Sequence, residues 1–356
     1  MRLTARPTNN FDGLRLAAAA AVVIGHAYVL TGAGPAPSVL GFTIHKLGVA
    51  VFFCISGYLI AGSWYRTRSA PRYLWHRLLR VIPALWVLIL VTTFIVGPAV
   101  SRLSPEDYYR SPTTFEYLLN LTTAATYRLP GVFEEHVNPA VNGSLWTIGV
   151  EVACYLALLA LAVLCRRFTA LGFAVAALVF AVASLSIATK HGPLAGLADA
   201  APVAVYFFVG ALMKSLERSG TVTWRPVHAV FALAAWLLSS AVFPDGNLAL
   251  SWLLLPLCVI PLGRASWPVL REGSRFGDIS YGVYLWGFLV QQIVIQVVGS
   301  VDLFVNTALV LMITCVLAWL SCRLVEQPAL SLKDWTPSAR TRRVSVPTSE
   351  LERRPS

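Results

Sequence analysis

Charged side chains are scarce in this chain. Asp, Glu, Lys and Arg make up 13% of its 356 residues, whereas soluble domains carry about 25%. So little charge cannot cover a water-exposed surface, which excludes an ordinary soluble enzyme. The six cysteines form no CxxC pair and most lie in apolar stretches. This excludes a zinc site and a disulfide framework and predicts small packing residues.

Basic patches with interleaved aromatic residues are also lacking. Nucleic-acid binding needs such patches, so the net charge of +11 does not indicate it. We therefore expect neither nucleic acid nor a metal ion among the ligands of this protein.

Long apolar runs are abundant. Runs near 18 residues recur along almost the whole chain, which is enough for helices that cross a bilayer, and the mean hydropathy is +0.68. They predict an all-α, polytopic membrane protein with about ten transmembrane helices. We place the spans at 14–31, 47–65, 81–100, 144–164, 168–188, 200–217, 227–243, 247–263, 279–299 and 303–322.

The basic residues predict the orientation of these spans. With a cytoplasmic N-terminus, the inside segments hold 22 of the 28 Lys and Arg residues and the outside segments hold 5, with Arg15 left within the first span. This bias follows the positive-inside rule and predicts that both termini are cytoplasmic. We expect one membrane domain over residues 1–330 and a basic, disordered cytoplasmic tail over 331–356.

Two ionisable residues lie in the first span. Eleven helical steps separate Arg15 from His26, so the two side chains point within roughly 20° of each other and lie about 16 Å apart along the axis. Ionisable groups at such depth are costly and usually mark function. One helix face therefore carries a cation near one end and a proton acceptor deep in the apolar layer.

Polar residues in the next three spans add candidates. Ser56 and Gly57 allow close helix approach, and the serine can bond across helices. Arg77 and Arg80 share a helix face, which suits either phosphate recognition or anchoring at the inner surface.

Glu151 is an intramembrane carboxylate, with Tyr155 one turn further along the same face. We expect Glu151 roughly 12 Å below the outer surface. That is a depth similar to that of His26, so the two side chains could meet.

The last two spans carry further polar groups. Ser280 and Tyr281 lie near the cytoplasmic start of the ninth span. Glu326 follows the tenth span, where Pro328 ends the helix. We expect Glu326 to pair with a nearby arginine as a structural contact.

Together these segments resemble the acyltransferase-3 family, the integral-membrane O-acyltransferases of bacteria. The resemblance covers nearly all of residues 11–328. It rests on the order and spacing of Arg15 to His26, Phe-Phe-x-x-Ser-Gly at 52–57, Arg-x-x-Arg-x-x-Pro at 77–83, Leu-Trp-Thr-Ile-Gly-Val-Glu at 145–151, Ile-Ser-Tyr-Gly-Val-Tyr-Leu-Trp at 279–286, and Glu-x-Pro at 326–328. One departure is Gly287, where many members of the family have histidine.

The resemblance implies transfer of an acyl group, commonly acetyl, from cytoplasmic acyl-coenzyme A to a hydroxyl of a sugar or other metabolite. It implies a multi-pass protein of the bacterial inner membrane. We expect Arg15, Arg77 and Arg80 to hold the donor phosphates, with Ser56, Ser280 and Tyr281 also in the donor site.

In this reading His26 is a general base for the acceptor hydroxyl, and Glu151 orients the imidazole or stabilises its protonated form. A covalent acyl-histidine is the alternative. We expect Asn142, Trp146 and Tyr155 to bind the acceptor. The long outside loop, about 101–143, forms either a cap or part of the acceptor site.

Three functions remain open from the sequence. The acceptor is a cell-surface sugar (exopolysaccharide, O-antigen or glycolipid) or a secreted metabolite such as a macrolide. A glycan transporter without acyl transfer is also compatible with ten spans and mid-depth polar groups. A structural scaffold is disfavoured because it needs no buried Arg–His–Glu set.

Overall fold

The computed structural model describes residues 9–186, 195–245, 247–268, 278–299 and 302–334. Within these ranges ten long helices form one bundle, which confirms the prediction of an all-α polytopic membrane protein. They are α1 (Phe11–Thr31), α2 (Ile44–Thr67), α3 (Ala70–Val91), α4 (Trp146–Leu164), α5 (Thr169–Ser186), α6 (Ala195–Arg218), α7 (Pro226–Val242), α8 (Leu248–Arg264), α9 (Ser280–Val298) and α10 (Leu303–Ser321).

Eight of the helical segments in the described residues are long and apolar enough to cross a membrane. The other two, α7 and α8, have 17 residues each. α3 begins at Ala70, well before the predicted start at residue 81, and continues through a π-helical stretch, Thr92–Val96, to Gly97–Val100. A second π-helical stretch, Cys322–Glu326, follows α10 and leads into a further helical turn, Gln327–Ser331. Pro328 therefore does not end the helix as predicted, because it lies in the first turn of this last segment, where its missing N–H is tolerated.

Short elements connect the long helices. A two-stranded antiparallel hairpin, β1 (Ser38–Val39) and β2 (Phe42–Thr43), joins α1 to α2. Short helices at Pro105–Arg110, Pro112–Glu116 and Tyr117–Thr122 build the first part of the loop between α3 and α4.

Successive long helices alternate in direction. We call the end at which α1 begins the inner end and the opposite end the outer end. Asn10, just before α1, bonds to the end of α8, since its backbone N–H donates to the carbonyl of Gly263 at 2.8 Å. Tyr65, near the end of α2, bonds to Thr169 at the start of α5. At the inner end, the starts of α1 and α5 therefore lie beside the ends of α8 and α2, as expected for helices that pack antiparallel.

α1 and α2 form the centre of the bundle. α1 packs against α2, α9 and α10, while α2 packs against α6. Glycines make the α2–α6 crossing close: a Cβ on Gly57 would overlap the carbonyl of Phe207, and one on Gly210 would overlap the carbonyl of Cys54. Small residues at such crossings let backbones approach without a side chain between them. This contact fixes the face of α2 that carries Ser56.

Residues 138–147, the descending segment, run down the side of α9 into the bundle. The side-chain amide of Gln292 donates to the carbonyls of Asn138 and Ala140 at 2.6 and 2.7 Å. Further down, the hydroxyls of Thr147 and Tyr284 are 2.6 Å apart. Because Tyr284 lies in the second turn of α9 from the inner end, α4 begins deep inside the bundle. Irregular backbone at that depth is tolerated only where protein surrounds it.

All six cysteines are free thiols, in line with their predicted packing role. Of the predicted tail, only residues 331–334 are described. Residues 335–356 lie outside the described part of the chain.

Candidate active site

A cavity opens between α1, α2, α3, α4 and α9 toward the inner end. Its volume is about 730 Å³, the open mouth included. We call it the inner cavity. Seven of the residues predicted for the site line it: Arg15, Ser56, Arg77, Arg80, Glu151, Tyr155 and Tyr281. Elements far apart in sequence thus bring these side chains to one place.

Asp278 links two of the three arginines. Its Oδ2 accepts from Arg15 Nη1 at 2.5 Å and from Arg80 Nη2. Burial raises the pKa of Asp278, but the two guanidinium groups and hydrogen bonds from Ser280 outweigh burial and hold the pKa below its usual range. Asp278 therefore stays ionised, and the start of α9 is tied to α1 and α3.

Arg80 has a second acidic partner. Its Nη1 lies 3.3 Å from Glu326 Oε2, and the Glu326 side chain is 2% exposed. This confirms the expected pairing of Glu326 with an arginine. The Arg80 guanidinium also lies over the ring of Tyr281, whose hydroxyl donates to the carbonyl of Val81 at 2.9 Å. With two carboxylates and a ring around it, Arg80 is held in place from three sides.

Arg77 differs from Arg80, although the two are three residues apart on the same helix face. In the described part of the chain Arg77 forms no ion pair, and its buried Nε has no hydrogen-bond partner. The buried Nε of Arg15 is likewise unpartnered. Buried donors without partners are costly and are normally satisfied by something. Two of the arginines that line the inner cavity therefore have an N–H group without a partner.

Glu151 is bonded within the inner cavity. Its Oε1 accepts from Ser56 Oγ at 3.1 Å and from the hydroxyl of Tyr155. The sequence analysis suggested that Glu151 and His26 could meet, but the structure shows no contact between them among the described residues. That expectation assumed that α4 starts at the outer surface. The descending segment carries the start of α4 inward, so Glu151 lies closer to the inner end.

His26 lies just beyond the inner cavity. Its ring centroid is 5.6 Å from that of His45 and 5.1 Å from that of Phe288, which meets it edge-on. Among the described residues, no hydrogen bond occupies either ring nitrogen of His26. Val49 and Tyr284, which line the cavity, are each about one helical turn from His45 and Phe288, or roughly 6 Å.

The sequence analysis did not identify His45 as a site residue. Gly25 makes room for it, since a Cβ there would meet the His45 side chain at 2.7 Å. The sequence did offer one indication of His45, since it lies at the outer start of the second span and His26 lies near the same end of the first span. Asp278 was also missed as a site residue, because a carboxylate just outside a span looks like an ordinary surface charge.

Comparisons with known proteins show the family to which the chain belongs. A family model for an acyltransferase domain, acyltransferase-3, matches residues 8–323. The chain belongs to the acyltransferase-3 family. It is 30% identical over 341 residues to an O-acetyl transferase of Shigella phage Sf6, covering 91% of this chain and 96% of that protein. It is also 30% identical over 373 residues to nodulation protein 10 of Rhizobium leguminosarum bv. viciae, covering 95% and 96%. No solved structure matches the chain.

Besides His26, three predicted site residues of this acyltransferase do not line the inner cavity. Asn142 is buried in the descending segment, where its amide donates to the carbonyl of Leu285 at 2.8 Å and its Oδ1 accepts from the N–H of Ser144. Trp146 packs against the core at the start of α4. Ser280 is buried and donates to Asp278 at 2.5 Å. Their contacts are those of residues that hold the helices together.

Gly287 departs from the family pattern. A Cβ at this position would contact the side chain of Val23 on α1, with Thr314 of α10 also within 4 Å. A histidine would therefore need α1 and α9 to separate. In this acyltransferase the glycine permits a closer contact of α9 with the helix that carries His26.

Proposed function

We propose that this protein transfers an acyl group, acetyl, from acyl-coenzyme A to a hydroxyl of a sugar outside or within the membrane, such as an exopolysaccharide, O-antigen or glycolipid. We further propose that it is a multi-pass protein of the bacterial inner membrane with its inner end in the cytoplasm. The observation that carries this proposal is the inner cavity, where three arginines converge and two of them retain unpartnered N–H groups.

The donor fits this cavity by charge. Its lining contains three arginines and one carboxylate, Glu151. Guanidinium groups suit phosphate because their N–H donors match its oxygens in pairs. Arg15 and Arg80 are already shared with Asp278, so Arg77 is the phosphate anchor we favour. The inner end is also the end with the predicted excess of basic residues, which supports a cytoplasmic donor.

His26 is proposed to act as the general base. The acceptor oxygen attacks the thioester carbonyl carbon, its proton passes to the free imidazole nitrogen, and the carbon–sulfur bond breaks. His26 then returns the proton to the departing thiolate, which leaves as the coenzyme A thiol. Only the neutral form of an imidazole can accept a proton in this way. A transient acyl-histidine would use the same nitrogen.

Glu151 is proposed as a positioning residue of the donor side. It holds the hydroxyls of Ser56 and Tyr155 and balances part of the positive charge of the cavity. Glu151 was expected from the sequence to orient the imidazole of His26. In this proposal it acts instead on the donor, on the inner side of His26.

The test is acyl transfer by the purified protein in lipid nanodiscs. Acetyl-labelled acetyl-coenzyme A is supplied with a deacetylated surface polysaccharide or with a macrolide. We expect labelled ester on the polysaccharide and an equal amount of free thiol. Ester on the macrolide alone would favour the metabolite reading, and a protein that consumes no donor with either acceptor would refute acyl transfer.

A further inference from the structure

We propose, resting on the function above, that a second cavity at the outer end binds a neutral sugar residue of the acceptor. This cavity, the outer pocket, has a volume of about 1020 Å³ with its open mouth included. The polar residues that line it are Thr31, Arg102, Glu135, His136, Gln296 and Asn306.

The charges of the outer pocket cancel. Arg102 and Glu135 form a two-pronged ion pair, and both side chains are more than half exposed. Among the described residues that line the pocket, a phosphorylated or carboxylated ligand would find no cation without an acidic partner. A neutral ligand is therefore favoured here, in contrast to the inner cavity.

The polar groups of the outer pocket suit hydroxyls. A hydroxyl both donates and accepts, so a polyol is matched by side chains that offer both kinds of atom. Arg102 offers donors, Glu135 offers acceptors, and the amides of Gln296 and Asn306 offer both. Apolar side chains, among them Leu30 and Ile295, complete the lining and can cover the C–H face of a sugar ring.

The polar wall of the outer pocket is held rigidly. His136 Nδ1 is 2.9 Å from Gln292 Oε1, and its Nε2 is 2.8 Å from Gln296 Oε1. Gln292 is fully buried and also holds the descending segment. Asn306 is 1% exposed and accepts from the amide of Gln291. Rigid hydrogen-bonding groups lose little entropy when a ligand binds.

The position of the outer pocket suits an acceptor. Leu30 on α1 is one turn beyond His26, about 6 Å along the axis. On α9, Gln296 is two turns beyond Phe288, which contacts the His26 ring. A sugar in the pocket thus lies on the opposite side of His26 from the inner cavity. One of its hydroxyls can point inward to the imidazole.

The test measures acceptor and donor kinetics separately in nanodiscs. The acceptors are the methyl glycosides of glucose, galactose, mannose and N-acetylglucosamine, with labelled acetyl-coenzyme A as donor. Glu135→Gln and Arg102→Gln should each raise the acceptor KM about tenfold or more, since each removes a charge-assisted hydrogen bond. The donor KM and thiol release without acceptor should stay unchanged. Loss of an exposed ion pair changes stability little, so both variants should fold.

The chain provides a matched control. Arg110 and Glu106 form another exposed ion pair in the same outer loop, at 2.5 Å, and neither lines the outer pocket. Glu106→Gln and Arg110→Gln should leave both KM values at the wild-type level.

The outcomes separate this proposal from the function on which it rests. If the wild type is active and the acceptor KM is unchanged in Glu135→Gln and Arg102→Gln, the outer pocket does not bind the acceptor. The proposal of acyl transfer would then still stand. Donor-dependent thiol release without transfer to any glycoside would overturn the sugar assignment. Absence of thiol release from the wild type with every acceptor would refute acyl transfer itself.

Discussion

The inner cavity and the outer pocket lie on either side of His26, yet their charges are arranged differently. In the inner cavity, Asp278 and Glu326 hold Arg15 and Arg80 in a largely buried network. In the outer pocket, Arg102 and Glu135 pair only with each other and remain exposed. The inner arrangement is a largely buried network that leaves Arg77 without an acidic partner among the described residues, whereas the outer arrangement is a single exposed pair.

This difference sets what a substitution does at each end. Removing one member of a buried ion pair leaves an uncompensated charge, so changes at Arg80 or Asp278 affect folding as well as binding. An exposed pair contributes little to stability, so changes at the outer pocket affect binding alone. His26 lies between the two sites and is the proposed base for the reaction of acceptor with donor. Its loss should therefore have the largest effect on activity.

His26→Ala removes the proposed base. We expect kcat to fall by about 10²–10⁴-fold, the usual contribution of a positioned general base, while binding of coenzyme A is retained. Labelled acetyl transfer and calorimetric binding of coenzyme A measure the two. His228→Ala, which removes a histidine at the inner start of α7, should retain full activity. An active His26→Ala enzyme would contradict the base assignment.

Arg80→Gln tests the buried network of the inner cavity. It leaves Glu326 without its ion-pair partner, and loss of one partner of a buried pair costs about 3–5 kcal/mol of stability. We expect a lower thermal unfolding temperature in detergent and a smaller yield of folded protein. Asp278→Asn should behave similarly.

The double variant Arg80→Gln/Asp278→Asn sharpens this prediction. Residues in one ion-pair network are energetically coupled, so the double variant should lose less stability than the sum of the two single variants. Strictly additive losses would mean that Asp278 and Arg80 act independently.

Arg77→Gln separates the two arginines of the Arg-x-x-Arg motif. Because Arg77 has no acidic partner in the described part of the chain, its loss should leave the unfolding temperature near that of the wild type. The KM for acetyl-coenzyme A should rise about 10–100-fold, the equivalent of one charge-assisted hydrogen bond to phosphate. Steady-state kinetics against donor concentration measures it.

A truncated donor makes the Arg77 test specific. Acetyl-pantetheine lacks the nucleotide, so Arg77→Gln should leave its KM unchanged. Arg72→Gln, an exposed arginine earlier in α3 that does not line the inner cavity, is the matched control. Equal effects on both donors would assign Arg77 to a role other than nucleotide binding.

The sequence predicted the ten helices, because the length of an apolar run is a local property. The gathering of Arg15, Ser56, Arg77 and Arg80 was expected from the family resemblance, since helical spacing alone does not show which helices meet. The sequence did not predict the depth of Glu151. That depth depends on the descending segment, whose sequence looks like an ordinary outside loop and does not show that Gln292 binds its backbone carbonyls. The bridge made by Asp278 was hidden for the same reason, since three separate helices must first be packed.

Glu151→Gln is expected to have the smallest effect of these inner-cavity changes. Glutamine keeps an oxygen that accepts from Ser56 and Tyr155 and removes only the negative charge. If Glu151 positions these hydroxyls, kcat/KM should fall by no more than about tenfold, the equivalent of roughly 1.4 kcal/mol. Glu151→Ala should cost more, because it leaves both hydroxyls without their acceptor. A Glu151→Gln enzyme as inactive as His26→Ala would mean that the carboxylate itself carries a proton or a charge in the reaction. Its hydrogen bonds with Ser56 and Tyr155 argue instead for a positioning role.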